Sequence, residues 1–209
     1  MTSTDDLIRS LASEAGARRS ASLRAALAFA GVASLGCALL LVFSVIGIRH
    51  DFAEMAVRLP FGFKLAYTGS LVAGTFVVAL YAATPGASTV ALYALSPTVI
   101  LLALGVIFDP TAFPIMGRTN TAVVFCVGSI LFLSLPAMIL TFGVMRKGAP
   151  THPVFAGAVI GMLSASVGAM AYILACKNDG TAFVATWYTA ACAIMALIGA
   201  VVAHRVLRW

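Results

Sequence analysis

The reactive groups that stand out in this sequence are two thiols, Cys126 and Cys176. Cys176 opens a short polar stretch, residues 176–179, that separates two long apolar runs. Hydrocarbon cannot solvate polar groups, so such a stretch is expected at a membrane surface. Cys126 lies about five residues inside another apolar run, which corresponds to about 8 Å of helix. The spacing therefore predicts that both thiols lie in the same outer layer of a membrane protein.

Two thiols in such a layer are compatible with two kinds of chemistry. With carboxylate or imidazole neighbours they can bind a soft metal ion, and in an oxidising compartment they can form a disulfide. They can also be two ordinary interfacial cysteines, because equal depth does not establish contact around a bundle. The candidate neighbours predicted in the same layer are His50, Asp51, Glu54, Asp109 and Asp179.

The remaining cysteines, Cys37 and Cys192, lie deeper in apolar runs, where a thiol behaves as a small apolar side chain. We predict a structural role for both. No CxxC motif is present, which argues against a zinc ribbon, a haem attachment site and a thioredoxin-type redox pair.

The composition predicts a membrane protein. The chain has 209 residues, of which 62% are hydrophobic and 10% charged, whereas soluble domains carry about 25% charged residues. Six apolar runs each approach the roughly 20 residues that cross a bilayer core. We predict an all-α polytopic membrane protein with six transmembrane helices, at about residues 23–47, 64–83, 89–108, 121–145, 154–175 and 182–203.

The basic residues predict the orientation of these helices. Eight lysines and arginines fall on the side that holds the two termini, and five fall on the other side. Because positive residues are enriched in cytoplasmic loops, both termini are predicted to be cytoplasmic. The net charge of +6 is thereby explained without a nucleic-acid-binding face.

Several features of the apolar runs bear on packing and transport. Ionisable residues lie at or near the ends of the runs, which argues against a proton-coupled transporter. Lys64 and Asp109 come closest to the interior, and both are expected to reach an interface. Pro97 and Pro136 are predicted to kink the third and fourth helices. Small residues spaced by four, Gly157 and Gly161, predict close helix packing.

Residues 1–22 form a polar segment that we treat as a cytoplasmic unit, separate from a transmembrane domain over residues 23–209. Asp5 and Asp6 suit the start of a helix, and Leu7, Ile8 and Leu11 fall on one face of it. The pattern predicts a short amphipathic helix of about 13 residues, marginal in water by itself. Such a helix either lies on the lipid surface or docks into a partner's groove.

Several short motifs resemble those of a known family. They are Thr4–Ala12, the segment from Cys126 to Pro136, the turn Arg146–Pro150, the Cys176–Asp179 loop followed by Phe183, Trp187 and Tyr188, and the closing Arg205, Arg208 and Trp209. Together they resemble the NrsF family, whose members are six-helix inner-membrane proteins of Gram-negative bacteria that act as anti-sigma factors. The resemblance covers nearly the whole chain. The residue before the second cysteine is Ala175, where family members often have a histidine.

The resemblance implies a regulator in the bacterial inner membrane and not an enzyme. It implies that an extracytoplasmic-function sigma factor is held at the N-terminal segment, through Asp5, Asp6, Leu7, Ile8 and Leu11, without direct contact to nucleic acid. It further implies that Cys126 and Cys176 sense metal or redox stress, with a transient heavy-metal ion at the two thiols and no resident cofactor. The alternatives are a small-solute permease or channel and, third, a membrane thiol oxidoreductase.

Overall fold

The computed structural model describes residues 4–83, 89–109, 113–117, 119, 121–148 and 152–206. Side chains are described from Ser22 onward, except that of Thr89. Within this part of the chain every regular element is helical and there is no strand. The α-helices are α1 (Thr4–Leu41), α2 (Phe52–Met55), α3 (Leu59–Ala82), α4 (Ser96–Ile107), α5 (Ala122–Met145), α6 (Pro153–Tyr172) and α7 (Thr181–Val206).

The prediction of six helices with the length and composition of membrane spans is confirmed. Six segments of the described chain are long and apolar enough to cross a bilayer. The first combines the end of α1 with a π-helical turn, and the third combines a 3₁₀ segment, Thr89–Leu95, with α4. The spans are Ser22–Ile46, Leu59–Ala82, Val90–Ile107, Ala122–Met145, Pro153–Tyr172 and Thr181–Val206.

The N-terminal segment is helical, but it is not a separate short helix. Helix α1 runs without a break for 38 residues, from Thr4 to Leu41. No proline interrupts this stretch, and its alanine, leucine and arginine residues favour helix throughout. Residues 4–21 therefore extend the first membrane span by about 27 Å, at 1.5 Å per residue. A helix continuous with a spanning helix differs from the predicted 13-residue unit.

The two intramembrane prolines have different roles. Pro136 lies inside α5, as predicted. Pro97 lies inside the third span, in the first turn of α4, where the 3₁₀ segment passes into the α-helix. Proline is well accommodated there, since the first amides of a helix have no intrahelical acceptor. A kink at either proline stays a prediction.

Helices α6 and α7 form the most closely packed pair of the bundle. A Cβ added at Gly157 would collide with Gly199, and one added at Gly161 would collide with the backbone of Met195. The small-residue pattern thus lets the two backbones meet, as predicted. Helix α6 also packs against α3 and α5, so the α6–α7 pair is the rigid centre around which the other spans are arranged.

Candidate functional site

The two cysteines singled out in the sequence meet in the structure. Cys126 lies in the second turn of α5, and Cys176 lies in the connection between α6 and α7. Both side chains are 0% exposed, and the two thiols lie against each other, within reach of a hydrogen bond. The Cys176 thiol also faces the backbone carbonyl of Asn178, with 3.5 Å between Sγ and O. The contact that the sequence left open is therefore present.

Aromatic rings cover the thiol pair on the side of the bundle interior. Tyr172 and Tyr188 lie 6.3 Å apart between ring centroids, and Phe183 is buried in the same apolar cluster. The Tyr188 hydroxyl lies against Cys176 and has no oxygen or nitrogen partner. Both sulfurs are thus enclosed by protein.

A charged cluster holds the loop that carries Cys176. We use this name for Arg49, Asp51, Lys64 and Asp179. The Arg49 guanidinium donates to Asp179 at 2.8 Å and to the Cys176 carbonyl at 3.0 Å. The Lys64 ammonium donates to the same Asp179 oxygen at 2.8 Å and to the same carbonyl at 3.3 Å. Arg49 also pairs with Asp51 at 2.7 Å. Two cations, one from the connection after the first span and one from α3, therefore converge on one loop.

Lys64 is expected to reach an interface, and the structure places its ammonium against the loop at 176–179, enclosed by protein. Helix α3 begins at Leu59, with Pro60 in its first turn, so Lys64 lies more than one turn inside the helix. Its side chain is 1% exposed and is satisfied by Asp179 and a carbonyl. Asp109, the other residue near the interior, accepts a hydrogen bond from the backbone amide of Ala182 at the start of α7. Both charges are therefore used within the protein.

Arg49 and Lys64 are the site residues that the sequence reasoning missed. Both had been counted only as basic residues that set the orientation of the spans. The available signal was the presence of acidic residues, Asp51 and Asp179, in the same predicted layer. A buried cation requires such a partner, because an unpaired charge is costly to bury.

The cluster shifts the pKa values of its members. Hydrogen bonds from Arg49 lower the pKa of Asp51 to about 2. Burial tends to raise the pKa of Asp179, but Arg49 and Lys64 outweigh it, and the pKa is lowered. The pKa of Cys176 is also lowered, by the hydrogen bond from Cys126 and, against the effect of burial, by the charge of Lys64. The site therefore favours a thiolate at Cys176.

These shifts predict how the charged cluster responds to acid. A carboxyl whose pKa is depressed on folding contributes stability above its unfolded value, near 3.9, and loses it as the pH falls through the folded value. The stability difference between the wild type and Asp179→Asn should thus be constant from pH 8 to about 5 and shrink towards pH 2. Thermal unfolding in detergent measures it. A difference that disappears already near pH 6 would contradict the assignment.

A cavity of about 610 Å³ lies beside the thiol pair at the outer end. Its walls include residues next to both cysteines, namely Phe125, Ala175 and Lys177, together with His50. Asp51, His50 and Glu54 are exposed. Within the described residues, no group of three or more His, Cys, Asp or Glu side chains could hold a metal ion. A soft metal at this site would therefore rely on the two thiolates.

The other predicted site residues are placed as follows. Cys192 is buried in α7 beside Met195, whereas Cys37 is exposed on α1. The N-terminal residues predicted to bind a partner belong to the helical backbone of α1, but their side chains lie outside the part that the structure describes. They are Asp5, Asp6, Leu7, Ile8 and Leu11.

The sequence matches a known protein family over nearly its whole length. The family described as "Negative regulator of sigma F" matches residues 11–209. The chain belongs to the NrsF family. The resemblance found in the short motifs is therefore confirmed over nearly the whole chain.

Two NrsF proteins illustrate the similarity. The chain is 34% identical to a protein of Azospira oryzae described as a probable anti-sigma-F factor, and the match covers 99% of each chain. It is 31% identical to an anti-sigma-F factor of Caulobacter vibrioides, again over 99% of each chain. No solved structure matches this sequence. The family thus comes from sequence, and the arrangement of the thiols from the geometry above.

Proposed function

We propose that this NrsF protein is an inner-membrane anti-sigma factor that binds an extracytoplasmic-function sigma factor and releases it when Cys126 and Cys176 react. Family membership supports the anti-sigma role. The observation that carries the sensing role is the direct contact of two buried thiols beneath a cavity at one end of the bundle. A pair of structural cysteines would need neither the contact nor a lowered pKa at Cys176.

The topology separates the sensing and binding ends. Helix α1 starts in the N-terminal segment, and the first span ends at Ile46, shortly before Arg49, which contacts the Cys176 loop. Six crossings bring both termini to the same face, and the excess of lysine and arginine there favours the cytoplasm. The thiols then face the periplasm, while a sigma factor held by Leu7, Ile8 and Leu11 stays on the cytoplasmic side.

The chemistry that fits best is formation of a disulfide. Peroxide or another two-electron oxidant takes two electrons and two protons from the thiols, a sulfur–sulfur bond forms, and peroxide leaves as two waters. The sulfurs, already in hydrogen-bond contact, must close to about 2.05 Å. Bridging by one soft metal ion is the second route, because thiolates suit such ions. The two thiolates would hold such an ion, since the described residues bring no third His, Cys, Asp or Glu side chain to the pair.

Release requires that the sigma factor distinguish two states of the protein. A ligand only shifts an equilibrium between states for which its affinity differs. Moving from 1% to 99% release takes about 5.5 kcal/mol of differential binding. A new covalent bond at the outer end can supply such a bias if the cytoplasmic part of α1 follows the movement.

The binding half of the proposal is tested by co-purification from unstressed cells. We expect the detergent-solubilised wild type to retain a sigma factor and the variant Leu7→Asp/Leu11→Asp to lose it, because two carboxylates would disrupt the apolar face. Arg9→Gln, on another part of the same helix, serves as the matched control. Failure to recover a sigma factor with the wild type would contradict the anti-sigma role and favour the small-solute permease or channel.

A further inference from the structure

Arg49 has an unusual number of partners for a residue in a connection. It follows the end of the first span, after the turn at Gly47, whose φ is +83°, and it is 6% exposed. Its backbone amide donates to the carbonyl of Leu174 at 3.2 Å. Its guanidinium holds the Cys176 carbonyl and both carboxylate oxygens of Asp179. Arg49 therefore attaches the outer end of the first span to the cysteine loop by backbone and side chain.

The first span packs against the thiol cluster through Ala38 and Val42, but much of its remaining surface faces outward. Only 22% of its most apolar window is buried within the protein, against 72% for α6. The contacts of α6 and α7 are backbone to backbone, so that pair resists a change in packing. The first span is also the element that continues into residues 4–21. Compared with α5, α6 and α7, which carry or flank the two cysteines, the first span has the smallest buried share.

We propose that Arg49, through its pairing with Asp179, is the positioning residue that couples the state of the two thiols to helix α1. This inference rests on the proposed function. When Cys126 and Cys176 react, the loop at 176–179 shifts towards α5, and the carbonyl and carboxylate that Arg49 grips shift with it. A guanidinium suits this task because its planar fork fixes direction as well as distance. Lys64 ties the same loop to α3, which keeps the loop ordered when Arg49 is replaced.

The test separates thiol chemistry from its transmission. Cells carrying the wild type, Arg49→Gln or Arg58→Gln are treated with hydrogen peroxide. The disulfide is measured by the loss of maleimide labelling, and the released sigma factor by the expression of its target promoter. Arg58 is the matched control, since it is an exposed arginine at the same end. We expect all three proteins to form the disulfide equally. The ratio of promoter expression with peroxide to that without peroxide should fall close to one in Arg49→Gln only.

The other possible outcomes bear separately on the coupling role of Arg49 and on the proposed function. A wild-type ratio in Arg49→Gln, or loss of its disulfide, would overturn the coupling role and leave the proposed function standing. A wild type that forms the disulfide without releasing the sigma factor would overturn both. Arg49→Lys keeps the charge but not the fork, so its ratio should lie between those of the wild type and Arg49→Gln. If Arg49→Gln does not accumulate, a wild-type ratio in Arg49→Lys overturns the proposal.

Discussion

Replacing both Cys126 and Cys176 by serine should abolish induction by oxidant while leaving repression intact. Serine is close in size to cysteine and can preserve the hydrogen bond between the two positions, so the bundle should still fold. Serine cannot form a disulfide or a thiolate–metal bond, so the double variant has no oxidised or metal-bound form to respond with. Expression from the sigma-factor-dependent promoter, before and after peroxide, measures the loss.

The single variants and a matched control sharpen this prediction. Each single serine variant should lose induction as completely as the double variant, because a disulfide needs both sulfurs. The Cys37→Ser variant should respond normally to oxidant, because Cys37 is exposed on α1 and is not one of the two paired thiols. Exposure to a soft metal salt in the absence of oxidant distinguishes the second route. Normal induction in the double variant would remove the sensing role from these cysteines.

Asp179→Asn is expected to be the most destabilising substitution in the charged cluster. Asp179 is the anion shared by Arg49 and Lys64, and without it Lys64 keeps only a carbonyl partner in a buried site. Breaking a buried ion pair by removing one partner costs about 3–5 kcal/mol. For a chain of this length that corresponds to a fall in Tm of roughly 6–20 °C, measurable by thermal unfolding in detergent.

The variant Lys64→Met tests whether an unpaired Lys64 causes the loss of stability in Asp179→Asn. Lys64→Met should reduce the free energy of unfolding less than Asp179→Asn does, because Asp179 retains Arg49 as a partner. Combining Lys64→Met with Asp179→Asn should cost less than the sum of the two, since the residues are in contact and not independent. Glu54→Gln, an exposed acid at the same end, should change stability by less than about 0.5 kcal/mol. A shift in Asp179→Asn no larger than in Glu54→Gln would rule out this account.

The spans could be predicted from the sequence because bilayer thickness sets their length. The six runs agree with the six spans to within a few residues at most ends, and the depth of the thiols follows from that. The second span is the exception, since Pro60 starts α3 before the apolar run begins. Because of that difference of five residues, Lys64 lies within α3 and is not the first residue of the span.

The contacts of the site could not be predicted in the same way. Hydropathy gives depth along the membrane normal but not the rotation of each helix, so it placed Cys126 and Cys176 in one layer without bringing them together. The pairing of Arg49 with Asp179 joins residues 130 positions apart, and no local pattern encodes such a distance. The unbroken course of α1 was missed because polar composition was taken as a boundary, whereas helix propensity continues through it.

The position of Lys64 has a consequence for biogenesis. Lys64 belongs to the second span, yet its anion, Asp179, is made only after the fifth span has been synthesised. A lysine in a spanning helix costs about 2.5–3.5 kcal/mol to insert at the helix centre. Until the last hairpin arrives, the nascent protein carries an uncompensated charge near the outer surface. Completion of the thiol site and compensation of the Lys64 charge therefore depend on the same late segment of the chain, residues 176–179.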